Sequence, residues 1–276
     1  MNCFNGSKYL NKSIESIINQ TYQNWELIFW DNKSLDNSID IAKSYNNNKF
    51  QIFESSKKTK LYKARNKALN KVKGDIICFL DTDDWWSKKK LNIYNKAFNE
   101  YQCNFVYSNF YNYYQDSYLK YRIFKILPQP NGLIKKKLEK DYVVSLPTLA
   151  FKTSCINLNN DTFNNNFNII GDFDFVMRLS TNNRCKYLYT PSAYYRIHSN
   201  NYSNLNIKEH ISELGKWSLN KEIDLKNNIE EKINLLKCLN YLNIKNYKAF
   251  FIHLANLVRF KNKLKLFLFF LRSLFV

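Results

Sequence analysis

The chain has 276 residues, a net charge of +19 and 17% aromatic residues, with only five Gly. That length suits one α/β domain with an appendage and can bury a sizeable core, and the aromatic content excludes a disordered or linker-rich chain. Only seven of the 42 basic residues are Arg, a Lys bias with the look of a compositional habit, so the charge argues less for nucleic acid than for an anionic substrate or membrane surface.

Helix and strand alternate through the first half, the pattern of an α/β chain with a parallel sheet. Tyr9, Leu10, Ile14, Ile17 and Ile18 recur at helical spacing after Asn5-Gly6-Ser7. A strand is expected over Leu27–Trp30 with a turn at Asp31-Asn32-Lys33-Ser34, then a helix through Ile39–Tyr45 and a strand near Phe50–Phe53. Leu61, Ala64, Ala68, Leu69 and Val72 form a third helical face that stops at Gly74.

Ile76-Ile77-Cys78-Phe79-Leu80 then reads as a buried strand, followed at once by Asp81-Thr82-Asp83-Asp84. Crowded carboxylates at the C-terminal end of a strand repel one another unless a cation neutralises them, and in open α/β sheets that rim is where ligands bind. This cluster is expected to hold a divalent metal against a diphosphate, with Asp31 on the same rim. A helix near Lys88–Tyr101 and a strand over Cys103–Tyr107 follow. Residues 110–145 read as an irregular Tyr-rich loop region, Leu146–Phe151 as a strand and Ile170-Gly171-Asp172 as a helix mouth. Lys186–Tyr189 and Ala193–Ile197 read as two short strands separated by Pro191, and everything beyond Ile207 as helical.

The six cysteines are scattered without a Cys-x-x-Cys pair, which favours reduced thiols over a disulfide or zinc framework. The first 15 residues are polar, and no run of 18 uncharged apolar residues occurs. A cytoplasmic location follows as the expectation.

Asn5-Gly6-Ser7-Lys8-Tyr9-Leu10, Asp31 to Asp36, Ala64-Arg65-Asn66, Leu80 to Asp84, Gly171-Asp172-Phe173-Asp174 and Tyr195-Arg196-Ile197-His198 stand in one order and at compatible spacing. In these elements residues 3–203 resemble the inverting family two glycosyltransferases of the GT-A fold. The resemblance implies a Rossmann-like, mostly parallel sheet flanked by helices over residues 1–203, with a helical C-terminal region over 204–276. It further implies sugar transfer from a nucleotide-diphosphate sugar, a UDP-sugar being favoured, to a hydroxyl of a glycan or lipid-linked acceptor in polysaccharide synthesis.

The roles it implies are specific. Asp83, with Asp81 or Asp84, holds Mn²⁺ or Mg²⁺. Arg65 reaches the diphosphate or is a solvated helix charge. His198 contacts metal or diphosphate or is structural. Asp172 is the general base or an N-cap, and Asp174 is structural or binds the acceptor. Trp85 and Trp86 stack on a sugar face or pack in the core. Phe4 stacks on the nucleotide base, while Asp31 and Asn32 bond its polar edge, Asn32 through its amide oxygen. The family also has an apolar strand immediately before the Phe4-Asn5-Gly6 segment. Here Met1 stands three residues upstream of Phe4, so a start further upstream, or a truncated and inactive product, is expected.

Lys261–Val276 pairs basic residues with nearly encircling Leu and Phe. It reads either as an interfacial helix on anionic lipid at the inner face of the membrane or as a helix docked on the catalytic core or a dimer interface. Three rival functions remain: a nucleic-acid binder, which rim carboxylates would disfavour, a nucleotidyltransferase using the same carboxylates, and an inactive binding module.

Overall fold

The computed structural model describes residues 1–115, 117–158, 161–199, 201–258, 262–264, 266–267 and 270. The chain divides into two compact units, Met1–His198 and Ser199–Val276.

The first unit is built on two β-ladders. In the first, β1 (Asn2–Cys3) pairs parallel with β2 (Leu27–Asp31), which pairs parallel with β3 (Phe50–Glu54). Helix α1 (Ser7–Ile18) covers one face through Leu10 and Ile14, which pack with Cys3, Phe29 and Ala42, the last on α2 (Ser38–Ser44). Helix α3 (Leu61–Leu69) packs Ala64 and Ala68 against Ile28 and Trp30. All five residues of β2 are buried, as expected of a strand sandwiched between helices.

The second ladder is mixed. Its order is β4 (Ile76–Cys78), β8 (Ala150–Lys152), β6 (Phe105–Tyr114), β9 (Cys185–Ile197) and β5 (Trp85–Trp86), with β7 (Tyr121–Ile123) hairpinned onto β6. Only β6 and β9 run parallel; β4 with β8, β6 with β8, β6 with β7 and β5 with β9 are antiparallel. Helix α4 (Lys90–Glu100) packs Tyr94, Ala97 and Phe98 against Cys103, Val106 and Ala150.

Several expectations need correction. The 110–145 segment is not irregular throughout: β6 runs on to Tyr114, and Phe110–Phe124 and Tyr113–Tyr121 ring pairs join it to the strand that returns. Cross-strand aromatic pairs supply the stabilisation that a loop reading overlooks. A short helix, α5 (Lys135–Lys140), follows. Leu146–Thr148 is a 3₁₀ turn, so the strand there is confined to β8. The two strands flanking Pro191 are one, β9, whose ladder jumps from Ser108–Leu188 to Phe110–Ala193; the proline sits in that irregularity, where no ladder donor is required.

Among the described residues the two ladders share no strand pairing. Between them lies a cavity of about 860 Å³ lined by Ile28 on one side, Ile77 and Leu80 on the other, and Leu69 and Tyr94 from the covering helices. The Met1 amine donates to the Ile28 carbonyl at its edge.

The second unit is helical: α7 (Tyr202–Leu205), α8 (Ile207–Ser218), α9 (Ile223–Asn243) and α10 (Tyr247–Ala255). Cys238, Leu242, Phe250, Leu257 and Leu266 make its core. Among the described residues of the expected membrane-binding tail, Leu266 is buried in this core and Phe270 stacks on Phe250. Those two residues pack within the helical unit itself, a placement that neither expectation named. Lys261, Lys265, Leu268, Phe269 and residues 271–276 lie outside the described residues. Among the described residues no helix is long and apolar enough to cross a membrane.

Candidate active site

The site forms where the loops after β1, β2 and β4 meet the mouth of α6 (Gly171–Leu179) and the end of β9. The first two loops are zipped together by short polar side chains. Asn5 adopts φ +52° and Lys33 φ +68°, the left-handed region that tight turns require and that Asn tolerates well. Backbone amides of Asn5, Gly6 and Ser7 donate to Ser34 Oγ, Ser38 Oγ and Asp36 Oδ2. A Cβ on Gly6 would lie 2.7 Å from Thr82 Oγ1, so glycine lets this loop touch the acidic loop after β4. Ser13 of α1 fixes that loop from below, donating to the Thr82 carbonyl at 2.7 Å.

At the end of β2, Asp31 is buried; its Oδ2 accepts from the Ser34 amide at 2.9 Å, whereas Oδ1 is buried with no partner among the described residues. Asn32 departs from its expected role. Its Nδ2 donates to the Thr59 carbonyl at 2.7 Å, and its Oδ1 accepts from both the Thr59 amide and hydroxyl. Both lone pairs of that oxygen are committed, so Asn32 braces the pocket and cannot also accept from a nucleotide base. Phe4 is 38% exposed, with Lys58 Nζ 3.8 Å from its ring centroid. An aromatic face and a cation thus stand beside the orphaned Asp31 oxygen's turn.

The three carboxylates after β4 have separate fates. Asp81 Oδ1 accepts from Arg65 at 2.6 Å. Arg65 is no solvated helix charge: it is buried, with its guanidinium over the rings of Tyr62 and Phe163. Burial works against its charge, but Asp81 and then Tyr62 and Asp172 hold its pKa above the ordinary value. Asp83 Oδ2 lies 3.2 Å from His198 Nε2, and the His198 ring packs on Tyr9. Burial first and the Asp81 charge second raise the Asp83 carboxyl above its usual range. Asp84 leaves the group. It is fully buried, its Oδ1 accepts from the Arg196 amide at 2.8 Å, and burial pushes its carboxyl well above the ordinary value. With 1% exposure and Oδ1 tied to backbone, Asp84 is sealed away from the rim, and although its Oδ2 is buried without a partner among the described residues, the expected metal role does not fit this burial.

Among the described residues, no group of three or more His, Cys, Asp or Glu side chains gathers at metal-ligand spacing. Asp83 and His198 are the pair that meets. Arg196, which sequence reading passed over, clamps the loop: its Nε donates to the Asp83 carbonyl and its guanidinium lies over the rings of Tyr9, Trp85 and Tyr113. The Tyr-Arg-x-His run carried that signal.

Trp85 and Trp86 are both 7% exposed. Trp85 stacks on Tyr194 with 5.0 Å between centroids and carries Lys12 on its ring, while Trp86 Nε1 donates to the Pro147 carbonyl. Their faces are used in packing, which corrects the expected sugar-stacking role. Asp174 is likewise spoken for, pairing with Arg178 at 3.0 Å one turn along α6.

Asp172 is the second residue of α6, inside the N-cap at Ile170, yet its side chain satisfies a first-turn amide. Its Oδ1 accepts from the Phe173 amide at 2.8 Å and from the Tyr62 hydroxyl at 3.1 Å. The charge of Asp172 is felt by Arg65 and, with those of Asp81, Asp83 and Asp84, by Tyr195. Carboxylates from the acidic loop and from α6 thus lie within electrostatic reach of one tyrosine.

Comparison with known proteins finds glycosyltransferases by sequence and by fold. A glycosyltransferase of Haemophilus influenzae without an assigned role is 38% identical over 118 residues, covering 40% of this chain and 41% of that protein. The UDP-Glc:alpha-D-GlcNAc-diphosphoundecaprenol beta-1,3-glucosyltransferase WfgD of Escherichia coli is 31% identical over 110 residues, covering 40% of this chain and 44% of WfgD. The matched segment thus spans less than half the length of these relatives. The crystal structure of S. aureus TarS 1-349 in complex with UDP-GlcNAc shares the fold, with TM-score 0.63 at 18% identity over 90% of this chain and 87% of that one. The profile of glycosyl transferase family 2 matches residues 1–158, more than half of the chain and the loops after β1, β2 and β4, and with the GT-A-like fold around them the chain belongs to this family.

Proposed function

We propose that the chain transfers a sugar from a UDP-sugar to a hydroxyl of a glycan or lipid-linked acceptor, with inversion and with the help of a divalent cation, in the synthesis of a polysaccharide or lipid-linked glycan. The observation that carries this reading is the pairing of Asp83 with His198 beside the Arg65–Asp81 ion pair, facing a carboxylate on α6. Relatives named for glycosyl transfer onto a diphosphoundecaprenol-linked sugar support the acceptor class, and a fold shared with a UDP-GlcNAc complex supports the donor class.

The residues fit a hard divalent cation. Burial first and the crowding Asp81 charge second raise the Asp83 carboxyl, a repulsion that a cation relieves, and carboxylate oxygen with imidazole nitrogen is a donor set that Mn²⁺ or Mg²⁺ accepts. Asp83 and His198, with Asp81 beside them, would hold it. Bound there, the ion supplies positive charge to the diphosphate as it leaves. Arg65 adds fixed positive charge at the same rim. Asp31 Oδ1, buried without a donor, is suited to accept the imide N–H of uracil, with Phe4 as the stacking face. Asp172 takes the proton of the acceptor hydroxyl while that oxygen bonds to the anomeric carbon. The bond from that carbon to the diphosphate breaks with its electron pair, releasing UDP.

The test is UDP release from UDP-GlcNAc and UDP-glucose with Mn²⁺ or EDTA, for the wild type and Asp83→Ala. Release that needs Mn²⁺ and falls at least about a hundredfold in the variant is expected. Release indifferent to both EDTA and Asp83→Ala refutes the reading; pyrophosphate release would indicate nucleotidyl transfer, and UDP binding without release an inactive binding module.

A further inference from the structure

We propose that Tyr62 is a positioning residue for Asp172, tethering Oδ1 of that carboxylate so that Oδ2 alone is presented to the acceptor hydroxyl. The inference rests on the reading of Asp172 as the base.

Tyr62 sits in the first turn of α3, three residues before Arg65, and is 2% exposed. Its hydroxyl lies 2.9 Å from the Ile169 carbonyl and 3.1 Å from Asp172 Oδ1. One phenolic proton therefore spans the peptide that leads into α6 and the carboxylate on its first turn. Oδ1 also receives the Phe173 amide, so both of its good acceptor directions are filled. Oδ2 accepts no hydrogen bond among the described residues.

The ring is fixed as firmly as the hydroxyl. It packs on Phe163 with 5.4 Å between centroids and lies directly under Gly171. A Cβ at Gly171 would fall 2.5 Å from a ring carbon, closer than any packed contact, so the absence of a side chain there lets the phenol reach Asp172. Residues three apart share a helix face, and here that face holds two partners. Arg65 grips Asp81 of the donor-side loop while Tyr62 grips Asp172 of the acceptor-side helix. One turn of α3 thereby sets the separation between the departing diphosphate and the base.

Hydrogen bonds donated to a carboxylate favour its ionised form. Burial and the neighbouring Asp172 charge keep the Tyr62 phenol well above its ordinary pKa, so it remains a hydrogen-bond donor. The other groups that face Asp172 are Arg65 on α3, Tyr142 before the 3₁₀ turn, and Tyr195 on β9. Tyr62→Phe leaves all of them in place and removes only the tether.

The experiment titrates the Asp172 carboxyl by ¹³C NMR in the full chain without substrate, its resonance assigned from Asp172→Asn, for the wild type, Tyr62→Phe and Gly171→Ala. Loss of the tether is expected to move the Asp172 titration to higher pH, because the ionised carboxylate loses a donor. Gly171→Ala, which keeps the hydroxyl but drives the ring aside, is expected to shift it in the same direction. With Mn²⁺ and UDP-GlcNAc or UDP-glucose, the acid limb of kcat for Tyr62→Phe should move up by the same amount. Its kcat should fall on the order of tenfold while the donor KM stays unchanged. If either folded variant titrates Asp172 as the wild type does, Tyr62 is a packing residue and the proposal is overturned, with the base reading intact. If Asp172→Asn releases UDP at the wild-type rate, the base reading fails and takes this proposal with it.

Discussion

Lys90 offers a stability prediction with a clear sign. It opens α4 fully buried, its Nζ 3.3 Å from Ser192 Oγ and 3.7 Å from the Tyr94 ring centroid, and no ion pair to it occurs among the described residues. Burial drags its pKa from 10.5 down to about 7, with Cys78 opposing weakly. Between those two values the unfolded chain binds more protons than the folded one, so stability rises with pH across the window. Below about 7 both states are protonated and the full cost is present. A drop from 10.5 to about 7 corresponds to about 5 kcal/mol of destabilisation at pH 6. Lys90→Met removes that cost but also a hydrogen bond to Ser192, worth about 1 kcal/mol. A net gain of about 2–4 kcal/mol at pH 6 is therefore expected, shrinking toward zero by pH 10. Guanidinium unfolding followed by tryptophan fluorescence reads it, since Trp86 lies beside the amine. Wild type and variant unfolding with the same separation at pH 6 and pH 9.5 would refute the reasoning.

Four further outcomes are expected. Gly6→Ala drives a Cβ into Thr82 and should weaken UDP binding by calorimetry, with Thr82→Ala in the same chain restoring part of it because the hydroxyl contact at 2.7 Å is gone. Asp31→Ala removes the buried acceptor and should weaken UDP binding by about 10–100-fold, the worth of a hydrogen bond to a charged group, while narrowing any preference over CDP. Trp85→Ala should lower stability by about 3–5 kcal/mol in denaturant titrations through loss of core packing. Cys78, whose thiol burial pushes up, should react with iodoacetamide far more slowly at pH 7.5 than free cysteine, measured by mass spectrometry.

Local chemistry determined a good deal by itself. The β2 and β3 strands, the α1, α3, α4 and α6 helices and the acidic loop after Leu80 follow from short-range periodicity and capping, which act within a few residues and so are written in the sequence. The order of the motifs also placed Arg65, Asp83, Asp172 and His198 in one site. What those side chains do there was decided by neighbours distant in the chain. Asp83 and Asp84 are adjacent, yet one meets His198 and the other is sealed against the Arg196 backbone. Asn32 is spent on Thr59, and Trp85 and Trp86 are consumed by contacts with Tyr194 and Pro147. The split of the sheet into two ladders, the long β6–β7 hairpin and the Tyr62–Asp172 tether are of the same kind. Burial and hydrogen-bond partners arise only when elements from positions as far apart as 62 and 172 are packed together, and those two quantities fix whether a carboxylate binds, braces or accepts a proton.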